Sequence, residues 1–447
     1  MLTLQGYKIH KDQISNIHDI KGKLNIKPFI PSVFVKPQFV SRYNIFTEDS
    51  DYLYIPKHYG IQNFGMFSSS ERESPQTPTN NWLFNGKLRD GQFEVVNSFL
   101  KPFPHDGIIS LQTGGGKTIC GLYIASQLKL QTIILVHNTF LRDQWVERIS
   151  EFLPNAKIGQ IQGDKIDIEN KDIIICMLQS ISLKEYDSKL FTNIGLVIVD
   201  ECHHIASEAF SRSLSKLTSK YMLGLSATPE RKDKLMYVIN WFLGPLLYKS
   251  NTDDKVDDKV EVEYYEYDPP NKEFNDVILN PSGVMFTSLM INKVIEYEHR
   301  NVFLVELLKD IFEDKQKQIL VLSDRVEHLK TIFNLLPLEI QEESCILSRD
   351  IKSEQRSLWS KTKKILIATY TMCKEGFDVP SLNTLVMATS RPDIEQIVGR
   401  ILRIEKHKRT INPLIIDIVD PAFRRQFQER LQLYKKRNYK IQKMVLT

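Results

Sequence analysis

Short apolar runs recur along the chain and set the strongest limit on its fold. Each run is nearly continuous in Ile, Leu and Val instead of alternating with polar residues, which is typical of parallel strands covered by helices on both faces. Stretches of helical pattern, such as 118–129 and 139–152, separate the runs. Two such sets predict an α/β fold with two parallel-sheet lobes in tandem. The runs are 107–113, 132–137, 172–177, 195–200 and 222–227 in the first set, and 318–323, 364–369, 384–389 and 413–418 in the second.

Changes in composition divide the chain further. The segment MFSSSERESPQTPTN is rich in Ser, Thr and Pro, which predicts a flexible linker. Aromatic residues and prolines before it predict a small β-rich accessory domain, and a charged stretch with a Pro-Pro pair predicts a connection between the lobes with one extended segment, 260–267. The predicted division is an N-terminal accessory domain at 1–65, a linker at 66–80, the first lobe at 81–250, the connection at 251–283 and the second lobe at 284–447.

Composition excludes several classes of protein. No segment approaches the roughly 18–20 uninterrupted apolar residues of a membrane span, and the N-terminus lacks the basic-then-apolar pattern of a secretion signal. The five cysteines are scattered and odd in number, so we expect reduced thiols and neither a disulfide framework nor a zinc site. We therefore expect an intracellular protein, in the cytoplasm or the nucleus, without a membrane partner.

Charge is nearly balanced over the whole chain, with 59 basic and 55 acidic residues and a net charge of +4. Any binding of nucleic acid must therefore depend on local patches. One patch lies after Pro421, where the sequence contains eight Lys or Arg residues and a single acid, Glu429. Such runs more often cover a solvated helix face than contact a phosphate backbone, and both readings stay open.

The stretch LQTGGGKT, residues 111–118, has the composition of a phosphate-binding loop between a strand and a helix. Glycines let backbone N–H groups converge on an anion, and the N-terminus of the helix adds a favourable partial charge. Lys117 would neutralise the β- and γ-phosphates, and the Thr118 hydroxyl would bind Mg²⁺. The usual P-loop pattern has a glycine where this chain has Leu111, so a glycine-rich turn between two core elements is the alternative.

Two adjacent acids, Asp200 and Glu201, follow a buried strand of the same lobe. Asp200 would hold Mg²⁺ through its water shell, and Glu201 would orient and polarise an attacking water. A surface-exposed strand end is one alternative. A zinc cluster of Cys202, His203 and His204 is another, although three successive positions cannot all face one metal.

Five motifs in order resemble those of superfamily 2 DExH helicases: 113–118, 200–203, 226–228, 376–378 and 396–403. In that superfamily the phosphate loop starts with an alanine where the usual P-loop has its first glycine. Leu111 replaces that alanine, so no glycine is expected there. The resemblance implies two RecA-like lobes that bind ATP and Mg²⁺ and use hydrolysis to act on nucleic acid.

The resemblance also implies roles for individual residues. ATP would contact Arg89 and Gln92 of an adenine-reading element, the loop residues Thr113, Gly114, Gly115, Gly116, Lys117 and Thr118, and Gly376 and Asp378 of the second lobe. Catalysis would involve Lys117, Asp200, Glu201, His203, Gln396, Arg400 and Arg403, the metal would be held by Thr118 and Asp200, and Ser226 and Thr228 would couple hydrolysis to movement of the lobes. Arg400 and Arg403 lie three residues apart, so on a helix they would share a face and both could act as arginine fingers. Without the family context, both would be surface charges.

Polar residues that follow strand ends are candidate contacts for a nucleic acid strand, because loops at the carboxyl ends of parallel strands place ligands. Hydroxyls and amides suit phosphate binding without base readout, and ordinary capping of helices is the alternative. The candidates are Asn138, Thr139, Arg142, Gln179 and Ser180 in the first lobe, and Ser323, Arg325, Thr369 and the loop 371–376 in the second.

Two further resemblances suggest a branch of the superfamily. Residues 137–145, HNTFLRDQW, resemble the strand-contact element of XPB-like and phage branch-migration helicases. Residues 54–60, YIPKHYG, resemble an N-terminal feature of helicases from large DNA viruses, including the poxvirus transcript-release type, which implies the host cytoplasm or the virion as location if the chain is viral.

DNA is the predicted substrate, because Glu-Cys-His at 201–203 departs from the Asp-Glu-Ala-Asp form of RNA helicases, and RNA is the alternative. The other functions left open are a duplex-DNA translocase that displaces proteins without unwinding and a binding module whose ATPase has decayed. Transcription, replication or repair proteins are the expected protein partners.

Overall fold

The computed structural model describes residues 1–28, 41–71, 82–103, 105–112, 114–204, 208–227, 235–250, 256–281, 283–348, 351, 353–374, 379–404 and 406–445. The chain divides into two compact units, Met1–Ser250 and Asn251–Thr447. Within the described ranges, none of the helices combines the length and the apolar character that crossing a membrane requires.

The described part of the first unit contains two sheets and a short two-stranded pair. Its strands are β1 (Leu2–Thr3), β2 (Gly6–His10), β3 (Asn25–Ile26), β4 (Tyr43–Asn44), β5 (Thr47–Glu48), β6 (Tyr52–Ile55), β7 (Gly107–Ser110), β8 (Thr132–Val136), β9 (Ile158–Gln162), β10 (Lys165–Asp167), β11 (Ile173–Met177), β12 (Leu196–Val199), β13 (Tyr221–Ser226) and β14 (Leu246–Lys249). Its helices are α1 (Ile17–Lys23), α2 (Lys57–Phe64), α3 (Gln92–Leu100), α4 (Lys117–Leu128), α5 (Thr139–Phe152), α6 (Leu178–Leu183), α7 (Glu208–Leu214) and α8 (Met236–Leu243).

The larger sheet of this unit has the order β10-β9-β11-β8-β12-β13-β7-β14 in the described residues. Its strands are parallel except at the β9–β10 hairpin. Successive residues of the central strands enter two different cores, since Ile133 packs on one face of the sheet and Ile134 on the other. Burial on both faces explains why these strands are apolar at every position, and the predicted α/β class is confirmed.

A smaller antiparallel sheet, β1-β2-β6-β5, is formed by the N-terminal residues. Its inner face, which includes Ile9 and Leu53, shares a hydrophobic core with one face of the larger sheet. α2 joins the two sheets through a buried ion pair, in which Lys57 Nζ lies 2.6 Å from Asp106 Oδ2. Burial would raise the pKa of Asp106, but Lys57 and His58 outweigh it and hold this pKa below its ordinary value. The N-terminal sheet is therefore anchored to the first lobe by both apolar contacts and charge.

The second unit contains one sheet, with the order β17-β18-β16-β19-β20-β15-β21 and parallel pairing throughout its described strands. Helices pack around it, and the core includes strand residues such as Val321 and Ile367. The strands are β15 (Glu261–Glu266), β16 (Ile319–Ser323), β17 (Ser344–Leu347), β18 (Ile365–Thr369), β19 (Thr384–Met387), β20 (Leu414–Val419) and β21 (Lys440–Met444). The helices are α9 (Thr287–Glu296), α10 (Glu298–Glu313), α11 (Val326–Leu335), α12 (Leu338–Glu342), α13 (Ser353–Thr362), α14 (Tyr370–Lys374), α15 (Glu395–Val398) and α16 (Arg424–Lys436).

The extended segment predicted at 260–267 contains β15, which belongs to this sheet. β15 lies between β20 and β21 and pairs with both in parallel. Its partner β21 comes from the basic C-terminal residues, in which Lys440 and Lys443 hide the strand pattern. The pairing of β15 therefore could not be read from the sequence around it.

The basic residues after Pro421 are not one solvated patch either. Arg430 and Asp417 form a buried bidentate ion pair, with Arg430 Nη2 2.7 Å from Asp417 Oδ1 and Arg430 Nε 2.8 Å from Asp417 Oδ2. Tyr434 donates its hydroxyl hydrogen to the same carboxylate, and Arg437 is buried against Glu395. The charges of this segment alone do not predict the ion pair, because the acid that pairs with Arg430 is Asp417, which lies on β20. Lys435 and Lys436 are exposed and remain available for contacts with phosphates.

Replacing Arg430 by Met should destabilise the second unit by about 3–5 kcal/mol, because it leaves the Asp417 carboxylate buried without its partner. Lys436→Met is the matched control, since it removes a positive charge from the exposed part of α16 and should change the free energy of unfolding by less than about 0.5 kcal/mol. Urea unfolding followed by circular dichroism measures both. Equal stability of the two variants would contradict a structural role for Arg430.

Candidate ATP site and nucleic-acid contacts

The candidate ATP site lies at the carboxyl ends of β7, β12 and β13. The strand order β12-β13-β7 places these ends side by side, so the glycine-rich loop, the acids and Ser226 meet at one edge of the sheet. Ligands of open parallel sheets bind outside this edge. Thr113, Thr228, Gly376 and Asp378 lie outside the described residues.

The loop has the backbone geometry of an anion-binding turn before a helix. Gly114 and Gly116 have φ angles of 84° and 82°, a region that favours glycine, and Gly116 caps α4. A Cβ at Gly116 would lie 2.2 Å from Gln92 Nε2, so a side chain at this position would force Gln92 to move. Gln92 is buried, accepts a hydrogen bond from the Arg89 N–H at 2.8 Å, and donates to the Gly115 carbonyl at 3.1 Å. The predicted adenine-reading element is thus joined directly to the loop.

A chain of polar contacts links the loop to the strand end of β13. Lys117 Nζ lies 3.4 Å from Glu201 Oε1. His203 Nδ1 lies 3.2 Å from Glu201 Oε2 and 2.9 Å from Ser226 Oγ. Glu201 has a φ angle of 48°, a strained conformation for a residue with a side chain, and such strain is concentrated at functional sites. Four residues predicted from three separate motifs therefore form one connected group.

Asp200 lies beside this group and is 6% exposed. Its Oδ2 accepts a hydrogen bond from Trp145 Nε1 at 2.8 Å, and its Oδ1 accepts one from the Glu201 N–H at 2.9 Å. Burial, followed by the charge of Glu201, raises the pKa of Asp200 to about 6, against the opposing effects of Lys117 and the two hydrogen bonds. Neighbouring carboxylates of this kind, with the Thr118 hydroxyl at the start of α4, match the oxygen ligands that Mg²⁺ prefers.

The zinc alternative depended on Cys202, His203 and His204, and the side chain of His204 lies outside what the structure describes. The described part of the chain contains no group of three or more His, Cys, Asp or Glu residues that could hold a metal ion. Cys202 is buried, and a Cβ at Gly224 would lie 3.1 Å from its Sγ. Burial, with smaller effects of Glu201 and Asp200, raises the pKa of the Cys202 thiol far above its ordinary value, so this cysteine is a core residue.

The second unit holds Gln396, Arg400 and Arg403 at and after α15. The helix on which the two arginines would share a face does not extend to them. α15 ends at Val398 and the chain continues in turns, with the Arg400 N–H donating to the Ile397 carbonyl at 2.9 Å. Arg400 is 7% exposed and Arg403 is half-buried.

The first-lobe candidates for nucleic-acid contact form one polar group around the start of α5. Asn138 caps this helix, since its Oδ1 accepts a hydrogen bond from the Leu141 N–H at 2.8 Å, and Thr139 is the first helical residue. Arg142 pairs with Asp143 at 2.6 Å and donates to Gln162. Capping, the alternative reading, thus holds for Asn138.

The neighbouring pair anchors the loops beside this group. Gln179 donates to the His137 carbonyl at 2.8 Å, and the Ser180 hydroxyl accepts a hydrogen bond from the Gly163 N–H at 2.8 Å in the turn of the β9–β10 hairpin. Both contacts hold backbone segments at the carboxyl edge of the sheet. The group around α5 is therefore supported by two loops that come from other strands.

The second-lobe candidates differ in exposure. Ser323 is fully buried, and its hydroxyl is 2.8 Å from Nδ1 of His328, a residue whose pKa is lowered to about 3 by burial and by Arg300. The Ser323 hydroxyl is therefore not exposed for contact with a nucleic acid strand. Arg325 is partly exposed and donates to Asn292 at 3.0 Å and to Ser288 Oγ at 2.7 Å. Thr369 accepts a hydrogen bond from the Met372 N–H at 3.2 Å at the start of α14, which is the capping alternative.

Trp145 is a residue of this site to which the sequence pattern assigns no role. It lies on α5, within the stretch 137–145 that resembles a strand-contact element, but its hydrogen bond to Asp200 spans 55 positions of the chain. A buried indole usually donates its N–H group to a partner. A tryptophan in a helix expected to pack on the core is therefore a signal for such a contact.

Comparison with known proteins decides the family. Residues 85–231 match the family described as "Type III restriction enzyme, res subunit". A protein of Acanthamoeba polyphaga mimivirus, provisionally named an ATP-dependent RNA helicase, is 31% identical over 459 residues, which cover 100% of this chain and 87% of the relative. The chain belongs to the superfamily 2 helicases.

Other relatives of this helicase chain agree with that assignment. The DNA 3'-5' translocase XPB2 of Sulfurisphaera tokodaii is 27% identical over 382 residues, covering 74% of this chain and 81% of the relative. The solved structure of S. cerevisiae Dbp5 bound to RNA and ADP BeF3 aligns with a TM-score of 0.56 at 15% identity, over 80% of this chain and 90% of that one. The predicted fold of RecA-like lobes is confirmed, and the chain is an ATPase of the helicase class in the group that includes XPB-like and viral helicases.

Proposed function

We propose that this helicase uses the hydrolysis of Mg²⁺-bound ATP to move along DNA and to separate its strands. The observation that carries the proposal is the connected group of Lys117, Glu201, His203 and Ser226 beside the buried Asp200. It joins a phosphate-binding loop, two acids and the end of β13 in one set of contacts.

Each residue of the group has a definite task in this proposal. The loop amides and Lys117 bind the terminal phosphates, while Thr118 and Asp200 hold the metal. Bound Mg²⁺ supplies charge neutralisation and orients the phosphates. Glu201 accepts a hydrogen bond from the attacking water and then takes its proton. His203 contacts both Glu201 and Ser226, so a change in the position of Glu201 shifts Ser226 as well.

Motif residues of the second unit also act on the nucleotide in this proposal. Gln396, Arg400 and Arg403 contact it, and the two guanidinium groups stabilise charge that develops on the γ-phosphate. Gly376 and Asp378 are assigned to nucleotide contact by the motif in which they lie. Because hydrolysis changes how tightly such lobes close, the grip of each lobe on a nucleic acid strand changes during the cycle.

DNA is the proposed substrate, although the mimivirus relative is named for RNA. Residues 137–145 follow the XPB-like pattern, and the XPB2 relative is named a DNA 3'-5' translocase, so we propose the same polarity. The strand contacts are Asn138, Thr139, Arg142, Gln179, Ser180, Arg325 and Thr369. The name of that relative also favours a second candidate, a duplex-DNA translocase that displaces proteins or transcription complexes without unwinding.

The experiment that tests the substrate compares ATP turnover of the purified protein with single-stranded DNA, duplex DNA, forked DNA and RNA of matched length, with Lys117→Ala as the inactive control. We expect DNA to stimulate turnover at least about tenfold more than RNA, a difference in activation free energy of about 1.4 kcal/mol. Equal or greater stimulation by RNA would contradict a DNA substrate. Stimulation by duplex DNA without release of a strand would favour the second candidate.

A further inference from the structure

Trp145 connects three elements of the first lobe. It lies on the buried face of α5 with Leu141 and Ile149, and it is almost fully buried. Its indole N–H donates to the Asp200 carboxylate at 2.8 Å. α5 is the helix whose first turn carries Thr139 and Arg142, and it is capped by Asn138. One side chain thus reaches from the proposed strand-contact helix to the proposed metal ligand.

The same indole also lies against the helix of the phosphate loop. A Cβ at Gly121 of α4 would lie 3.3 Å from Trp145 Cη2 and 3.1 Å from Leu225 Cδ1. Glycine inside a helix costs about 0.5–1 kcal/mol relative to alanine, so its presence here needs a local reason. Close approach of the indole and of Leu225 provides that reason. Trp145 is therefore in contact with α4 as well as with Asp200.

α5 therefore connects the proposed strand contacts in its first turn with Asp200 through Trp145. Arg142 and Trp145 are three positions apart, so they are neighbours on the helix surface. Packed side chains shift between discrete arrangements, and a small displacement at one end of a helix is carried to the other. A nucleic acid strand that pulls on the first turn of α5 would change the distance between the Trp145 indole and the Asp200 carboxylate. The orientation of Asp200 would change with it.

We propose that Trp145 is a positioning residue that transmits strand binding at α5 to Asp200, so that DNA and nucleotide strengthen each other's binding. This inference rests on the proposed function. Because linkage is reciprocal, the effect is measurable as a ratio of binding constants without any hydrolysis.

The test measures the Kd of a fluorescent single-stranded oligodeoxynucleotide by anisotropy, with and without a non-hydrolysable ATP analogue and Mg²⁺. Coupling between sites typically changes affinity 5–150-fold. Trp145→Phe keeps an aromatic ring but removes the N–H donor, and it should lower the ratio of the two constants by about fivefold or more. The Kd without nucleotide should stay within about threefold of the wild-type value, because no strand contact is removed.

Trp82→Phe is a matched control. Trp82 is almost fully buried in the same apolar cluster, but within the described residues its Nε1 has no hydrogen-bond partner, so the substitution removes the same volume and no contact to Asp200. The ratio of the Kd values without and with nucleotide should be the same for Trp82→Phe as for the wild-type protein. Equal loss in both variants, or unchanged ratios in both, would overturn the proposal.

Gly121→Ala provides a second variant if Trp145→Phe does not fold. The added methyl group presses on the indole while every hydrogen-bonding group is kept, so it should lower the ratio in the same direction. An unchanged ratio in a folded Gly121→Ala protein would count against the inference. The proposed function itself fails separately, if the wild-type protein shows no DNA-stimulated ATP turnover.

Discussion

Replacing Glu201 by Gln should lower DNA-stimulated ATP turnover by about 10²–10⁴-fold, the contribution of a positioned general base. The amide keeps the size of the side chain but cannot take a proton from the attacking water. Glu201 also lies 3.4 Å from Lys117 and 3.2 Å from His203, so a folded variant retains a polar group between them. Nucleotide binding should therefore survive while hydrolysis is lost.

Steady-state turnover with saturating single-stranded DNA measures the loss, and equilibrium binding of a fluorescent ATP analogue tests whether the site is intact. Glu208→Gln is the matched control, because Glu208 is an exposed acid of the same lobe that pairs with Arg212 on α7. We expect this control to keep wild-type turnover. Full stimulated turnover in Glu201→Gln would remove Glu201 from its assigned role.

Replacing Arg400 by Ala should slow hydrolysis by about 10³-fold or more, the scale of an arginine finger. The guanidinium acts on charge that develops in the transition state, so the affinity for ATP should change little. Arg400→Lys should not restore the rate, because an ammonium lacks the planar fork of donors. A large loss of turnover with unchanged nucleotide affinity is the expected result.

Arg425→Ala is the control for this variant, since Arg425 is an exposed arginine of the same unit. Thermal unfolding separates a catalytic effect from a structural one, because Arg400 is buried and its loss could loosen the turns after α15. An unchanged rate in a folded Arg400→Ala protein would remove Arg400 from its proposed role.

The strands that can be read from the sequence are those buried on both faces. β11, from Ile173 to Met177, is apolar at every position, and the pattern locates it to within one residue. β9 is not recognisable in the sequence because only two of its five residues, Ile158 and Ile161, are large and apolar, and burial alternates along this strand near the edge of the sheet. β21 was missed because its lysines face solvent. A strand can be recognised in the sequence when both of its faces are buried, because every position is then apolar.

Roles in the candidate site could be assigned where a motif is local. Lys117 and Glu201 were assigned because a phosphate loop and a pair of acids have recognisable neighbours in the chain. Contacts between distant positions could not be assigned. The bond from Trp145 to Asp200 and the ion pair of Arg430 with Asp417 depend on which helix packs on which strand, and a single sequence does not contain that information.

The dependence of turnover on DNA length tests whether ATP hydrolysis drives movement along DNA. The maximal rate is measured at saturating concentrations of linear single-stranded DNA, from strands that just fill the binding site to strands many times longer. A protein that moves spends less of each encounter at a strand end as the strand grows, so we expect the maximal rate to rise with length and then level off. The same maximal rate at every length above the site size would show that hydrolysis does not drive movement.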